Sequence, residues 1–164
     1  MNIRYNAILL VLLSCFLFSC EDDGYADYDA GETNTKELSG EWYVSVYSMS
    51  GEVQSAYFLL STYNTAKNDN TIFVDDNENW FPLKVKATGE VENLNFSTTD
   101  AVNLYDEEGV ATITEGLIIP NGTEASGSRT VVDSLSFQIE LANDPNSPYI
   151  VAGYRDTGFA EDDH

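Results

Sequence analysis

Apolar and polar residues alternate with a period of two along most of the chain. Trp42, Val44 and Val46 alternate with Glu41, Tyr43 and Ser45, as a strand with one buried face requires. Phe81, Leu83, Val85 and Ala87 alternate with Lys84, Lys86 and Thr88, and Leu135, Phe137, Ile139 and Leu141 with Ser134, Ser136, Gln138 and Glu140. Further β segments are predicted over Tyr57–Tyr63, Thr71–Asp75, Val91–Ser97, Val110–Ile119 and Tyr149–Arg155, eight strands in all. Gly51, Asn68-Asp69-Asn70, Thr88-Gly89-Glu90, Pro120-Asn121-Gly122 and Asn143-Asp144-Pro145-Asn146 supply the turns between them. No stretch carries a helical period, and Ala101–Glu108 is where a short helix or long loop fits. The fold expected is all-β: an eight-stranded antiparallel meander closed into a barrel, because closure removes exposed sheet edges.

The first residues follow a different pattern. Arg4 precedes the apolar run Ala7–Phe18, and Glu21-Asp22-Asp23 follow soon after. That is the layout of a secretory signal, and the run is shorter than the roughly 20 apolar residues of a spanning helix. Leu17-Phe18-Ser19-Cys20 resembles a bacterial lipobox. Leu12-Leu13-Ser14-Cys15 fits the same pattern, but cleavage there would leave Phe16-Leu17-Phe18 exposed. The expected organisation is a lipoprotein signal peptide over 1–19, an acidic spacer over 20–37 lipidated at Cys20, and a barrel domain over 38–164. Several acyl chains on one cysteine give stable membrane anchoring. Both cysteines, Cys15 and Cys20, lie in this region, so the barrel has neither disulfide nor thiol chemistry. Acids directly after the cysteine resemble the export signal of outer-membrane lipoproteins displayed at the cell surface.

Charge narrows the ligand class. Twenty-eight Asp and Glu against seven Lys and Arg give a net charge of −21. A phosphate-backbone binder needs basic patches that release counterions, so nucleic acid is excluded. The expected ligand is neutral, apolar or cationic.

Gly40-Glu41-Trp42 opens the first strand and Arg155 ends the last. This set resembles the barrel-closing Gly-x-Trp and Arg of lipocalins and other calycins, where a planar guanidinium stacks on the indole and bonds loop carbonyls. The stretch Tyr149–Asp163, with Thr62–Ala66 and Asp75-Asp76 upstream, resembles a Bacteroidetes lipoprotein family of calycin-like "lipid-binding putative hydrolases". The resemblance covers nearly all of Leu38–Asp163 and implies a calycin-like barrel. It brings no catalytic set that can be carried over residue by residue.

Little hydrolytic chemistry is visible. The only histidine is His164, at the end of the chain with no rigid element to position it, and no Ser-His-Asp triad or cysteine nucleophile is expected. Glu115 shares a predicted strand face with Ala111, Ile113, Leu117 and Ile119. A carboxyl among such neighbours could act as a general acid or orient a ligand, unless a bulge flips the register. Asp75, Asn77 and Asn79 have the spacing of a calcium loop, but Trp80 and Lys86 stand where glycine and glutamate are needed. A turn is the better reading, and neither metal nor cofactor is expected. Asp133-Ser134-Leu135 resembles a short O-glycosylation motif, with an exposed strand serine as the simpler reading. For binding, the aromatic residues matter more. Tyr43, Tyr47, Tyr57, Tyr63 and Trp80 are the candidates to line a barrel mouth or cavity. The reading is a membrane-anchored binder of a small apolar or amphipathic, lipid-like ligand or a glycan fragment. The alternatives are a carboxylate-dependent hydrolase and a structural accessory of an outer-membrane uptake complex.

Overall fold

Alternation of the kind carried by Trp42, Val44 and Val46 fixes one face of a sheet against the core. A sheet of this size can cover that face by curling onto itself. The computed structural model describes residues 33–106 and 109–164. The signal segment, Cys15, Cys20 and all but the end of the spacer lie outside them. Within them the chain forms β1 Gly40–Ser48, β2 Phe58–Asn64, β3 Thr71–Asp75, β4 Lys84–Glu90, β5 Asn95–Val102, β6 Val110–Glu124, β7 Val131–Leu141 and β8 Tyr149–Arg155. Each strand pairs antiparallel with the next and β8 pairs with β1, so the sheet is a closed eight-stranded barrel. Short 3-10 turns at Lys36–Leu38 and Val91–Asn93 precede β1 and β5.

The inward faces fill the interior. Trp42, Val44 and Val46 meet Leu60, Ile72, Val74, Val85, Phe96, Ile113, Leu135, Phe137, Ile139 and Val151, all buried, and the Phe96 and Phe137 rings lie 5.8 Å apart. Burying each large apolar side chain stabilises the fold by about 1.5–3 kcal/mol. Room for a ligand along the axis is therefore not what these side chains leave. Among the described concavities, the one bordered by the buried Leu83, Ala111 and Leu141 at a barrel end measures about 40 Å3. Ligand pockets usually reach several hundred.

Three segments depart from strict alternation. The Phe81–Ala87 pattern divides: Phe81 and Leu83 precede β4 and lie in the β3–β4 connection, because the Asp76 carboxylate gathers the backbone N–H groups of Glu78, Trp80, Phe81 and Leu83 there. The expected turn at Pro120-Asn121-Gly122 is instead a bulge inside β6, where the register shifts between Ile119 and Thr123. Asn121 takes φ +51° and its N–H donates to Asp133 Oδ1 at 2.9 Å. Of Ala101–Glu108, the first two residues end β5.

The third departure moves Glu115. A register shift separates Thr114 from Leu117, and Glu115 takes φ +55°. Past this point the inward positions become Gly116 and Ile118, while Leu117 and Ile119 are 38% and 48% exposed. Glu115 is exposed too, its Oε2 accepting Gln138 Nε2 at 2.6 Å. The apolar setting expected for this carboxyl is absent because the bulge inserts one residue and reverses the faces.

Candidate functional site: a tyrosine groove on the outer wall

The barrel base is built around Trp42. Trp42 and Arg155 are directly paired across β1 and β8, so both side chains leave the same face of the sheet. The Arg155 guanidinium carbon stands 4.5 Å from the indole centroid. Arg155 Nη1 donates to the Ser39 carbonyl and Nε to Asp133 Oδ2, each at 3.1 Å. A Cβ on Gly40 would come within 2.6 Å of Arg155 Nη1, which explains glycine there. On the indole's polar edge, Nε1 donates to Thr62 Oγ1 at 2.9 Å, and that hydroxyl donates to the Leu38 carbonyl at 2.7 Å.

The candidate tyrosines fall into separate places. Tyr63 joins an outer-wall cluster around Lys84, whose Nζ lies 3.0 Å from Asp75 Oδ2 and 5.3–5.7 Å from the Tyr63, Phe73 and Tyr105 rings. The Tyr63 hydroxyl donates to Asp75 Oδ2 at 2.6 Å and Tyr105 donates to Oδ1 at 2.9 Å. Hydrogen bonds from Tyr63 and Asp75 push the Lys84 amine well above its ordinary value. Burial opposes ionisation of Asp75, yet its donors outweigh that and hold the carboxyl below the usual range. For Asp76 burial wins and lifts the carboxyl despite four backbone donors. These carboxylates are satisfied by protein donors, as a structural turn requires. Trp80 packs against Phe81 and, edge to face at 5.2 Å, against Tyr149, so it closes a barrel end.

Tyr43, Tyr47 and Tyr57 lie together on the outside of β1 and just before β2. Tyr43 is opposite Tyr154, and Tyr47 opposite Ile150. With Ser134, Ser136, Ala152 and Glu124, Tyr47, Tyr57 and Tyr154 border a groove of about 330 Å3. Tyr154, absent from the sequence-derived set, was recoverable only from the β1–β8 register. The Tyr47 and Tyr57 hydroxyls make no hydrogen bond among the described residues. Burial and neighbouring tyrosines raise the Tyr57 phenol above its ordinary value, so it remains a donor at neutral pH.

His164 is positioned after all. The tail following β8 returns over the outer wall, anchored by Asp162. That buried carboxylate accepts the N–H groups of Gly127 and Ser128, the Ser128 hydroxyl at 2.7 Å and the Thr157 hydroxyl at 2.6 Å. Although desolvation opposes ionisation, these donors hold Asp162 far below the usual range. His164 Nε2 then sits 2.7 Å from Tyr154 Oη and 2.9 Å from Ser126 Oγ. This contact is not a hydrolytic triad: among the described residues no carboxylate bonds the other imidazole nitrogen, and the N–H groups after Ser126 are taken by Asp162.

No curated protein matches the chain. A family model described as lipid-binding putative hydrolase matches residues 27–160, which span the whole barrel and its Trp42–Arg155 closure, and the chain belongs to that family.

Proposed function

We propose that this protein is a lipid-anchored binding protein. Cys20 holds it in the outer membrane facing outward, and it seats an amphipathic, lipid-like ligand on its outer wall. The observation that carries this reading is the groove bordered by Tyr47, Tyr57 and Tyr154, set against an interior packed with buried side chains. Tyrosine supplies an apolar ring and a hydroxyl together, which suits a ligand with one oily and one polar end. The family's lipid-binding description supports the same class. Dodecyl maltoside, kept below its micelle concentration, is the probe. Saturable binding that Tyr47→Ala weakens supports the reading. Equal affinity for maltose alone identifies a glycan fragment as the ligand, and no binding of either contradicts the groove.

The packed interior also favours a second reading, a scaffold accessory of an outer-membrane uptake complex. Cross-linking in intact cells to one outer-membrane protein, with neither probe bound, is its signature.

A further inference from the structure

Beside the groove, three tyrosine rings converge on one imidazole. The His164 ring is stacked on Tyr57 at 4.5 Å and 21°, edge-on to Tyr43 at 5.3 Å and 82°, and edge-on to Tyr154 at 6.2 Å and 73°. The tyrosines also touch one another, Tyr154 lying 5.6 Å from Tyr57 and 6.0 Å from Tyr43. The Tyr43 hydroxyl donates to Asp163 Oδ1 at 3.2 Å, so an acid stands at the rim. Three aromatic walls with a carboxylate beside them, in a chain of net charge −21, form the surroundings that attract a cation by the negative faces of the rings.

We propose that Tyr43, Tyr57 and Tyr154 form a binding box for a quaternary ammonium group, and that His164 occupies it when the ligand is absent. A quaternary ammonium has no N–H to donate. Ring faces and nearby negative charge are what can recognise it. Tyr57 already lays its face on the imidazole, while Tyr43 and Tyr154 stand across it in T-shaped contacts, Tyr154 also through its hydroxyl. The tethered imidazole competes with the ligand, so apparent affinity falls with the fraction of molecules whose box is open. Tyr57 and Tyr154 also border the groove. An acyl chain attached to the bound headgroup therefore runs into the groove, and this extension alone rests on the amphiphile reading above.

Calorimetric titration with tetramethylammonium chloride, against sodium chloride at equal concentration, tests the box. Binding to the native chain should be saturable and should tighten about tenfold in His164→Ala, the change expected when a competing ring contact is removed. Adding Tyr43→Ala to that variant should abolish it, with circular dichroism confirming the fold. Absence of saturable binding to His164→Ala, or binding indifferent to Tyr43, overturns the proposal. Choline and dodecylphosphocholine then separate the sources: tighter binding of the latter marks a lipid headgroup, and equal affinities mark the free cation. Dodecyl maltoside binding without tetramethylammonium binding would remove the box and leave the groove, and the converse result would do the reverse.

Discussion

The Arg155 guanidinium lies over the Trp42 indole at 4.5 Å while bonding the Ser39 carbonyl and Asp133. One side chain thus ties the entry to β1, the end of β8 and the start of β7. Arg155→Ala removes the stacking and leaves the indole uncovered, at a cost of about 2 kcal/mol. For a domain of this size that is a fall in Tm of about 8 °C. Arg155→Lys, which keeps the charge but loses the planar fork, should recover less than half of it by calorimetry.

The filled interior carries its own prediction. Phe137→Ala opens a void against Phe96 and should cost about 3–5 kcal/mol in urea unfolding. An open lumen would instead tolerate the change with less than about 1 kcal/mol lost.

The inward faces of β1, β7 and the Val85–Ala87 part of β4 were legible because apolar and polar residues alternate there. By contrast, Ile72-Phe73-Val74 and Tyr149-Ile150-Val151 run apolar and marked β3 and β8 as strands without showing a face, and β5 begins at Asn95, later than the expected Val91. The closure set was legible because Gly40, Trp42 and Arg155 resemble the closing residues of calycin barrels, and the clearance that requires glycine at position 40 emerged only from the structure. The bulge at Glu115 was not legible. One inserted residue reverses every later side chain, and the only local sign was Gly116 beside it. Nor could pattern show the tail returning to Asp162's donors, because contacts between Asp162 and Gly127 or Ser128 leave no periodicity. The groove shares this difficulty: Tyr43, Tyr47 and Tyr57 read equally well as lining a cavity or covering an outer wall.

Acid should unfold the domain through Asp75 and Asp162. Both carboxyls are held below the ordinary aspartate range by the donors that surround them. Each therefore contributes stability that is present above about pH 4 and lost as pH falls toward its folded value. Asp76 shifts the other way and offsets part of this. Melting curves between about pH 2 and 7 should show the loss, and Asp162→Asn should flatten its acid limb.

Glu115→Gln should change stability by less than about 0.5 kcal/mol and leave ligand binding untouched, because the side chain is in solvent with Gln138. Loss of an esterase or glycosidase turnover in that variant would restore a catalytic role to the carboxylate.

Among the aromatic candidates the effects should separate. Tyr47→Ala and Tyr57→Ala are expected to weaken dodecyl maltoside about tenfold, the loss of one ring's apolar contact, with little change in Tm. Tyr63→Ala and Trp80→Ala should lower Tm and leave the affinity alone. Calorimetric titration alongside melting curves measures both.

Methyl NMR during titration with dodecyl maltoside tests the outer-wall site most directly. Thr123 and Ala152 border the groove, whereas Ile113 and Ile139 are buried in the barrel core. Shifts at the Thr123 and Ala152 methyls with Ile113 and Ile139 unmoved are the expected result, and shifts confined to Ile113 and Ile139 would contradict an outer-wall site.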